Sequence, residues 1–492
     1  VVRVPVTFPP ESFHGTCLSG MSVPDLRGTQ GSFTFFTEAS GDGEHTGGLR
    51  IRLERDGNRL RGTIPGPDHP LRPGGGSLEL PLSVELSGAE IVVEVGEARF
   101  PLALGAYSDW IPLTFDAGVG IKPRGIVRFR VSGLEPFGLY MTPIQIDPEH
   151  PALPISHPRY YASYLAKLLG RFATLGLAED TWALNERVLD EDGFLEQAYL
   201  IHEERERQLF DVLEKTRQGV VVCVFDATDR VQHMFYRYND PDPRAERPGD
   251  RARYSRAIED VYRRMDDLLG RVRGQIDDRT LLLVLSDHGF TSFRRGVNLN
   301  AWLLAEGYLA LKPGVGGESE YLRDVDWQRT RAYAVGLAGI YLNLRGREAE
   351  GTVAPESAAE LRREIAEKLD RLRDPESDRA VVDEAVEMAR RYRGPYLDQS
   401  PDLMVGYAAG YRVSWEAAVG KVAGPVIADN LKCWSGDHCV DPRLVPGVLF
   451  ANRALAAEAP SIVDIAPTLL ALYGIDPPAY MEGRPLGVTI GS

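Results

Sequence analysis

The chain has 492 residues, of which 43% are hydrophobic and 26% are charged, a composition typical of an ordinary globular protein. Its 71 acidic residues outweigh its 56 basic residues and give a net charge of −15, which argues against binding to a nucleic-acid backbone because such binding needs a basic surface. No apolar run approaches the ~20 residues that a membrane-spanning helix needs. We therefore expect neither a nucleic-acid partner nor a membrane span, and the oligomeric state stays open.

The first 35 residues are rich in Pro and Gly, which break long helices and strands. Short extended pieces such as Val1–Val6 are therefore expected. The sequence begins with Val rather than Met, so we expect the true N-terminus to be missing. The compartment stays open for the same reason, with a slight preference for the cytoplasm.

Residues 36–149 have a different pattern, in which short runs of alternating apolar and polar residues are separated by Gly, Asp, Asn and Pro. Alternation over such short runs predicts antiparallel β structure. Asp56-Gly57-Asn58 is typical of a tight turn between two strands. We interpret residues 36–149 as a β-rich insertion, and no cluster of His, Cys or acidic residues in its sequence indicates a chemistry.

Helical patterns begin at about residue 150, and we assign residues 150–492 to the main α/β core, which is expected to bind metal. The first predicted helices are Tyr160–Leu175 and Glu196–Lys215. A charged amphipathic helix at Arg251–Ile276 then separates two apolar runs, Val220–Phe225 and Thr280–Leu285, which are predicted to be strands. The order strand, helix, strand predicts a parallel pair joined by a right-handed crossover.

Strands and helices continue to alternate over the rest of the chain. The predicted elements are a short helix at Asn298–Glu306, one or two strands within Ala332–Leu344, a helix at Pro355–Arg373, a strand at Asp402–Tyr407, a strand at Pro446–Ala451 and a closing helix at Ile462–Tyr473. Such alternation is typical of an α/β fold.

Acidic and imidazole side chains lie close to three of the predicted strands. The sets are Asp229 and His233 after Val220–Phe225, Asp287-His288 after Leu281–Leu285, and His438 shortly before Pro446–Phe450. Because open α/β folds bind their ligands at the carboxyl edge of the sheet, these side chains are candidates for a common site. The four-residue spacing of Asp229 and His233 puts both on one face of a helical turn.

These residues can form two metal sites, with Asp229, His233 and His438 in the first and Asp287 and His288 in the second. Mixed Asp and His ligands suit Zn²⁺, with Mn²⁺ or Fe²⁺ as alternatives. Two ions ~4 Å apart can hold both the attacking and the leaving oxygen of a phosphoryl group.

Simpler interpretations of the same residues stay open. Asp229 and His233 can be a surface pair on a helix. Asp287 can cap a helix, and His438 can be an ordinary turn residue.

Three further residues lie beside the candidate ligands. Lys432 can reach a substrate phosphate or be an ordinary loop lysine. Asp226 and Asp437 can accept hydrogen bonds that orient the neighbouring imidazoles, or they can cap turns. The sequence leaves both interpretations open for each of them.

Three motifs occur along the chain in the order FDATDRVQH (225–233), LSDHGF (285–290) and SGDH (435–438). Together they resemble the alkaline phosphatase superfamily, in its type I phosphodiesterase/nucleotide pyrophosphatase branch. The resemblance covers roughly residues 150–480 and extends weakly to Val4–Gly31, so it implies that residues 1–35 are part of the same catalytic core. The tail SIVDIAPTLLALYGIDPP (461–478) is similar to the closing helix of that branch. The resemblance implies an alkaline-phosphatase-like sandwich with a mainly parallel central sheet between helices, and two metals at the carboxyl edge of that sheet.

Carried over by motif, the resemblance implies that Asp229, His233 and His438 hold one divalent ion and that Asp287 and His288 hold the other, with Zn²⁺ favoured and Mn²⁺ as the alternative. It also implies a further Asp after a first strand and a Thr or Ser nucleophile at a helix start. No such combination stands out in residues 1–150, so we assign no nucleophile.

The function expected from this resemblance is a two-metal phosphohydrolase that cleaves phosphodiester, nucleotide pyrophosphate or phosphomonoester bonds of a small phosphorylated substrate. The alternative is a non-catalytic fragment or pseudoenzyme of the same fold that acts as a binding module.

Overall fold

The computed structural model describes residues 2–4, 8–39, 46–72, 74–88, 90–242, 244 and 250–488. It is a mixed α/β structure with several sheets, as the sequence predicts. The chain divides into two compact units. The first unit contains Val1–Val231 and Ile258–Gln275, and the second contains Gln232–Ala257 and Ile276–Ser492.

The helices come mainly from residues beyond 160. The α-helices are α1 (Tyr161–Leu169), α2 (Thr181–Asn185), α3 (Glu191–Lys215), α4 (Ala227–Phe235), α5 (Asp250–Tyr254), α6 (Ala257–Arg273), α7 (Leu299–Ala305), α8 (Pro355–Leu369), α9 (Met388–Arg391), α10 (Trp415–Ala418) and α11 (Ile465–Leu472). Short 3-10 helices cover Tyr236–Tyr238, Leu397–Gln399, Pro442–Leu444 and Ile462–Asp464. Among the described residues, no helix combines the length and the apolar character that crossing a membrane requires.

The strands begin near the N-terminus. Those of the first unit are β1 (Val2–Val4), β2 (Cys17–Ser19), β3 (Phe33–Thr37), β4 (Gly48–Arg52), β5 (Glu54–Asp56), β6 (Arg59–Asp68), β7 (Ser77–Ser87), β8 (Glu90–Val95), β9 (Ala98–Pro101), β10 (Ile111–Thr114), β11 (Arg124–Val127), β12 (Phe129–Leu134), β13 (Phe137–Met141), β14 (Gln145–Ile146) and β15 (Ser156–His157). Those of the second unit are β16 (Leu283–Leu285), β17 (Thr291–Val297), β18 (Ala332–Val335), β19 (Gly339–Leu342), β20 (Val382–Glu387), β21 (Leu403–Tyr407), β22 (Gly410–Val413), β23 (Ile427–Asp429), β24 (Gly436–Asp437) and β25 (Leu449–Ala451).

The first unit is built largely from antiparallel strands. Its largest sheet has five strands in the order β5-β6-β7-β8-β9. In β7 the residues Leu78, Leu82 and Val84 are buried, in the period of two that puts alternate side chains on one face of a strand. Smaller sheets have the orders β12-β13-β3-β4, β10-β11-β14 and β1-β2-β15. Of the piece expected at Val1–Val6, only Val2–Val4 is described, as β1, and the remainder lies outside the described residues.

The second unit has one large apolar core. A four-stranded antiparallel sheet has the order β18-β19-β21-β20. Helix α8 starts at Pro355, whose fixed φ suits the first helical position, and it contributes buried Leu361, Ile365 and Leu369 to this core. Each such side chain stabilises the fold by about 1.5–3 kcal/mol when it leaves water.

A second sheet of this unit brings two distant motifs side by side. Its strand order is β22-β17-β23, and β24 also pairs with β17. In the antiparallel β17–β24 pair, Thr291 lies opposite Asp437 and Ser292 lies opposite Gly436. The residues just before β17 and just after β24 are therefore neighbours in space.

The prediction of a parallel pair of apolar strands is wrong. β16 pairs with β25 in the antiparallel direction, and Leu285 and Phe450 at this pair are 39% and 61% exposed. Val220–Phe225 is not a strand, and within it only Cys223 occupies a bridge position. An apolar run indicates that a segment can be paired or buried, but it does not determine the direction of its partner.

The described strands also do not form the mainly parallel central sheet that the resemblance implies. Parallel pairs join β1 to β2, β3 to β4 and β17 to β22, and the other pairs between the described strands are antiparallel. A resemblance read from three short motifs fixes the residues at the ends of strands, whereas strand direction depends on the whole chain path between them.

Candidate metal centre

Helix α4 carries the first two candidate ligands. Asp229 lies in its first turn and His233 in its last, and the four-residue spacing places both on one face of the helix. The boundary between the two units falls within this helix. His233 is 2% exposed, whereas the side chain of Asp229 retains 26% of its accessible surface.

The segment that contains His438 is fixed to the C-terminal end of α4 by main-chain contacts. Ser435 N donates to His233 O at 2.7 Å, and Arg237 N donates to the Ser435 hydroxyl at 2.9 Å. A Cβ atom on Gly436 would lie 2.5 Å from Gln232 O. Only glycine therefore permits this approach, which explains the Ser-Gly of the SGDH motif.

The proton on His233 is fixed by the same segment. Its Nδ1 lies 2.8 Å from Gly436 O, and because a carbonyl can only accept, Nδ1 carries the hydrogen in the neutral ring. Nε2 is then the unprotonated nitrogen, which is the form that coordinates a cation. The ring packs on Trp434 at a centroid distance of 3.7 Å and meets the edge of Phe290 at 4.8 Å.

His438 lies between the other two imidazoles. Its ring centroid is 5.2 Å from that of His233, and it stacks on His288 at 3.6 Å with an interplanar angle of 15°. Burial, reinforced by the neighbouring His288, lowers the pKa of His438 to about 4. The imidazole is therefore neutral at neutral pH, as a metal ligand must be.

Asp229, His233 and His438 form a group in which one potential ligand atom from each lies within 4.8 Å of the others. A carboxylate with two imidazoles is a donor set that suits Zn²⁺. Three protein ligands also leave a coordination position for water or substrate, as catalytic zinc sites do. The residues present therefore fit a divalent cation.

A second group, Asp437, His438 and Cys439, is less suited to hold metal. Burial, together with the nearby Asp437 carboxylate, raises the pKa of the Cys439 thiol to about 12. Because the ligand form of cysteine is the thiolate, a cation would bind Cys439 only with loss of this proton.

The carboxylate of Asp437 is already occupied by protein donors. Burial raises its pKa, but the Arg412 guanidinium and hydrogen bonds from Cys439 N and Trp434 outweigh this effect and bring the pKa to about 2. Its Oδ2 is 2.7 Å from Arg412 Nε and accepts from Trp434 Nε1 at 2.7 Å, and its Oδ1 accepts from His438 N at 2.8 Å. Asp437 therefore acts as an acceptor that orders the turn before His438.

Asp287 and His288 follow the end of β16. Ser286 N donates to Val448 O at 3.0 Å and Gly289 N donates to Val445 O at 2.8 Å, so the turn is held on both sides. His288 Nδ1 lies 3.1 Å from Gly289 O, so Nε2 is the ring nitrogen left for other partners.

The Asp287/His288 pair is less complete than the first group. Asp287 Oδ1 is 3.5 Å from His288 Nε2, and the Asp287 side chain is 72% exposed. Within the described residues, no group of three possible ligands includes Asp287. The structure brings His288 against His438, and the assignment of Asp287 and His288 to a second ion stays a prediction.

Lys432 and Asp226 have protein partners of other kinds. The ammonium of Lys432 lies 4.8 Å from the centre of the Trp415 ring, a cation–π arrangement. Asp226 is paired in the first unit with buried Arg205, at 2.7 Å from Nη2. A phosphate contact by Lys432 stays a prediction. For Asp226 the structure shows an ion pair with an arginine, which neither of the two interpretations from the sequence included.

Sequence reasoning did not find Arg412 and Trp434. Arg412 lies outside the three motifs, and Trp434 directly precedes SGDH. Both contact the carboxylate of Asp437, and these contacts form only in the folded protein. The only signal in the sequence is the cluster of aromatic and basic residues in YRVSW (411–415) and KCW (432–434).

A comparison with protein families identifies the chain's relatives. The model for type I phosphodiesterase / nucleotide pyrophosphatase matches residues 148–422, a stretch that contains Asp229, His233, Asp287 and His288 and ends before His438. Searches of curated proteins and of solved structures returned no match. Because the match covers more than half of the chain, the resemblance drawn from the motifs is confirmed, and the chain belongs to the type I phosphodiesterase/nucleotide pyrophosphatase family of phosphoester hydrolases, which generally use divalent metals.

Proposed function

We propose that this protein is a metal-dependent hydrolase that cleaves phosphodiester, nucleotide pyrophosphate or phosphomonoester bonds. The observation that carries the proposal is the group formed by Asp229, His233 and His438, whose potential ligand atoms lie within 4.8 Å of one another. Membership of a phosphoester hydrolase family supports the same conclusion independently. Zn²⁺ is the proposed ion and Mn²⁺ the alternative, since the donors are imidazole and carboxylate.

The protein's own groups prepare this site for a cation. The carbonyl of Gly436 holds the hydrogen of His233 on Nδ1 and so presents Nε2, while burial keeps His438 neutral. When bound, a divalent ion stabilises negative charge on a phosphoryl oxygen and favours deprotonation of an attacking hydroxyl or water. The aromatic rings of Phe290 and Trp434 pack against His233, whose imidazole is buried.

A second cation held by Asp287 and His288 is part of the proposal. The stacking of His288 on His438 supports it, because the two ligand sets are then neighbours. Two adjacent ions would let the site contact both the attacking and the leaving oxygen of a phosphoryl group. No nucleophile is assigned.

The proposed substrate is a small phosphorylated compound rather than a nucleic acid. The chain's net charge of −15 disfavours a long polyanion. Lys432 is proposed as a phosphate contact. To bind phosphate, its ammonium group would have to move away from the Trp415 ring, over which it lies in this structure.

The test is metal content by mass spectrometry on purified protein, combined with hydrolysis of chromogenic phosphomonoester and phosphodiester substrates. We expect zinc or manganese in the wild type, loss of one ion in His438→Ala and loss of a different ion in Asp287→Ala. His14→Ala, an exposed histidine in the first unit, is the matched control and should keep all metal.

The outcomes separate the alternatives. Metal in the wild type with hydrolysis that depends on His438 supports the enzyme. One ion, lost only in His438→Ala, without hydrolysis of any substrate, favours the binding module. Wild-type protein that takes up no metal from a zinc-containing buffer would contradict the proposed ligand set.

A further inference from the structure

Arg412 is a buried arginine that lies behind the proposed metal centre. It is 5% exposed, and its guanidinium carbon lies 5.0 Å from the centre of the Phe293 ring and 4.6 Å from that of the Trp415 ring. Its Nη1 also donates to Val413 O at 3.1 Å. A planar guanidinium suits such packing against aromatic faces, and these contacts fix its position.

The charge of Arg412 faces the carboxylate of Asp437. Its Nε lies 2.7 Å from Oδ2 of Asp437, which is 1% exposed. A buried carboxylate without a counter-charge is strongly destabilised, so Asp437 would take up a proton or move if Arg412 were absent. The position of Asp437 thus depends on Arg412.

Asp437 in turn fixes the start of the His438 side chain. Its Oδ1 accepts hydrogen bonds from the main-chain nitrogens of His438 at 2.8 Å and Cys439 at 2.9 Å. Two hydrogen bonds to consecutive main-chain groups fix the turn and therefore the direction in which His438 leaves the backbone.

The same carboxylate also fixes the ring on which His233 packs. Asp437 Oδ2 accepts a hydrogen bond from Trp434 Nε1 at 2.7 Å. The Trp434 ring lies 3.7 Å from the His233 ring, with an angle of 31° between their planes. Both imidazoles of the proposed site are therefore supported, by different routes, from one carboxylate.

We propose that Arg412 is a positioning residue of the metal centre, which acts through Asp437 on His438 and through Asp437 and Trp434 on His233. Arg412 contacts neither the cation nor the substrate in this arrangement. The inference rests on the proposed function, because it assumes that these imidazoles are ligands. It adds a residue that no motif of the chain indicates.

The test compares zinc affinity in Arg412→Met and Arg412→Lys, measured by competition with a chromophoric chelator. Groups that support metal ligands typically change affinity by about 10- to 100-fold. We expect Arg412→Met to weaken binding by about 100-fold and Arg412→Lys to recover about 10-fold of this loss, because lysine restores the charge but not the planar packing. The visible spectrum of the Co²⁺-substituted protein should change in both variants, since it reports the geometry of the ligands.

Controls separate positioning from general stability. Arg295→Lys alters another buried arginine, paired with Asp374 at 2.7 Å, and should keep wild-type affinity and the wild-type Co²⁺ spectrum. Trp434→Phe removes the Nε1 donor to Asp437 but keeps a ring beside His233, and we expect about a 10-fold loss of affinity. Thermal unfolding in the presence of a chelator shows which variants fold.

The decisive outcomes are distinct. Folded Arg412→Met with wild-type affinity and spectrum overturns the inference. Should the Arg412 variants not fold, wild-type affinity in Trp434→Phe overturns it instead. If the wild-type protein binds no zinc, the proposed function and the inference are both contradicted. If the wild type binds zinc and the Arg412 and Trp434 variants bind it with the same affinity, only the inference is contradicted.

Discussion

The two halves of the candidate metal centre contain similar residues but are supported very differently. His233 and His438 are enclosed by Gly436, Trp434 and Asp437, and His233 is only 2% exposed. Asp287 has a side chain that is 72% exposed, at the end of a strand pair that is itself partly exposed. Residue type alone therefore does not make a metal site, since affinity also depends on how firmly the surrounding groups hold each ligand.

The largest effect is expected from replacing a ligand in the enclosed half. His233→Ala removes the Nε2 ligand, and we expect the tighter zinc-binding step to weaken by more than about 100-fold, beyond the 10- to 100-fold effect of supporting residues. Asp287→Ala should leave this step unchanged and remove only the weaker one. Isothermal titration calorimetry of both variants checks the contrast, and an equal loss of the tight step in Asp287→Ala would show that the halves are not distinct.

A smaller effect is expected where the enclosed half packs most closely. In Gly436→Ala the new methyl group would lie 2.5 Å from Gln232 O and 2.8 Å from Tyr236 Cβ. Overpacking of this kind typically costs about 1–3 kcal/mol of the free energy of unfolding, and zinc binding should weaken with it.

The matched control is Gly270→Ala, in helix α6, where nothing lies within 4 Å of the new methyl group. This change should stabilise the protein by up to about 1 kcal/mol, because alanine favours a helix over glycine. Denaturant unfolding followed by circular dichroism measures both variants. An unchanged free energy of unfolding in Gly436→Ala would mean that the segment can move away from α4 at little cost.

The last effect concerns the pH dependence of stability in metal-free protein. The pKa of His438 falls from 6.5 to about 4 on folding because of burial and the neighbouring His288. Between these two values the unfolded chain binds a proton at this imidazole that the folded protein does not, so the free energy of unfolding increases as pH rises through this window and levels off above it.

The comparison of wild type with His438→Gln isolates this contribution. The wild-type free energy of unfolding should increase more steeply between pH 4 and 6.5 than that of His438→Gln. Asp287→Asn removes a negative charge that raises the pKa of His438, so in this variant the increase should begin at a lower pH than in the wild type. Parallel curves for wild type and His438→Gln would show that burial of this imidazole does not affect its protonation.

The sequence predicts local features of this protein well. The four-residue spacing of Asp229 and His233 places both on α4, as helical periodicity requires, and α7 and α8 lie where the apolar pattern predicts helices. The alternation in residues 77–87 is that of a strand with one buried face. These features depend only on neighbours along the chain.

Features that depend on distant partners could not be predicted in this way. The apolar run before Asp287 forms β16, but its antiparallel partner β25 comes from residues more than a hundred positions later. The support of Asp437 by Arg412 also leaves no periodic signal, since it requires strand β22 to bring an arginine next to the turn before His438. The order of the three motifs identifies the family, yet it does not describe this framework.

The hydrogen bond from His233 to Gly436 has a consequence for how the protein assembles. It joins residues 203 positions apart. Helix α4 can form from local contacts within about a microsecond, whereas closing a loop of this length costs entropy that only long-range packing repays. With the ligands proposed above, a growing chain that has reached α4 would carry Asp229 and His233 but not His438. Tight capture of a cation would then be one of the last events of folding, so that metal is retained only by molecules whose second unit is complete.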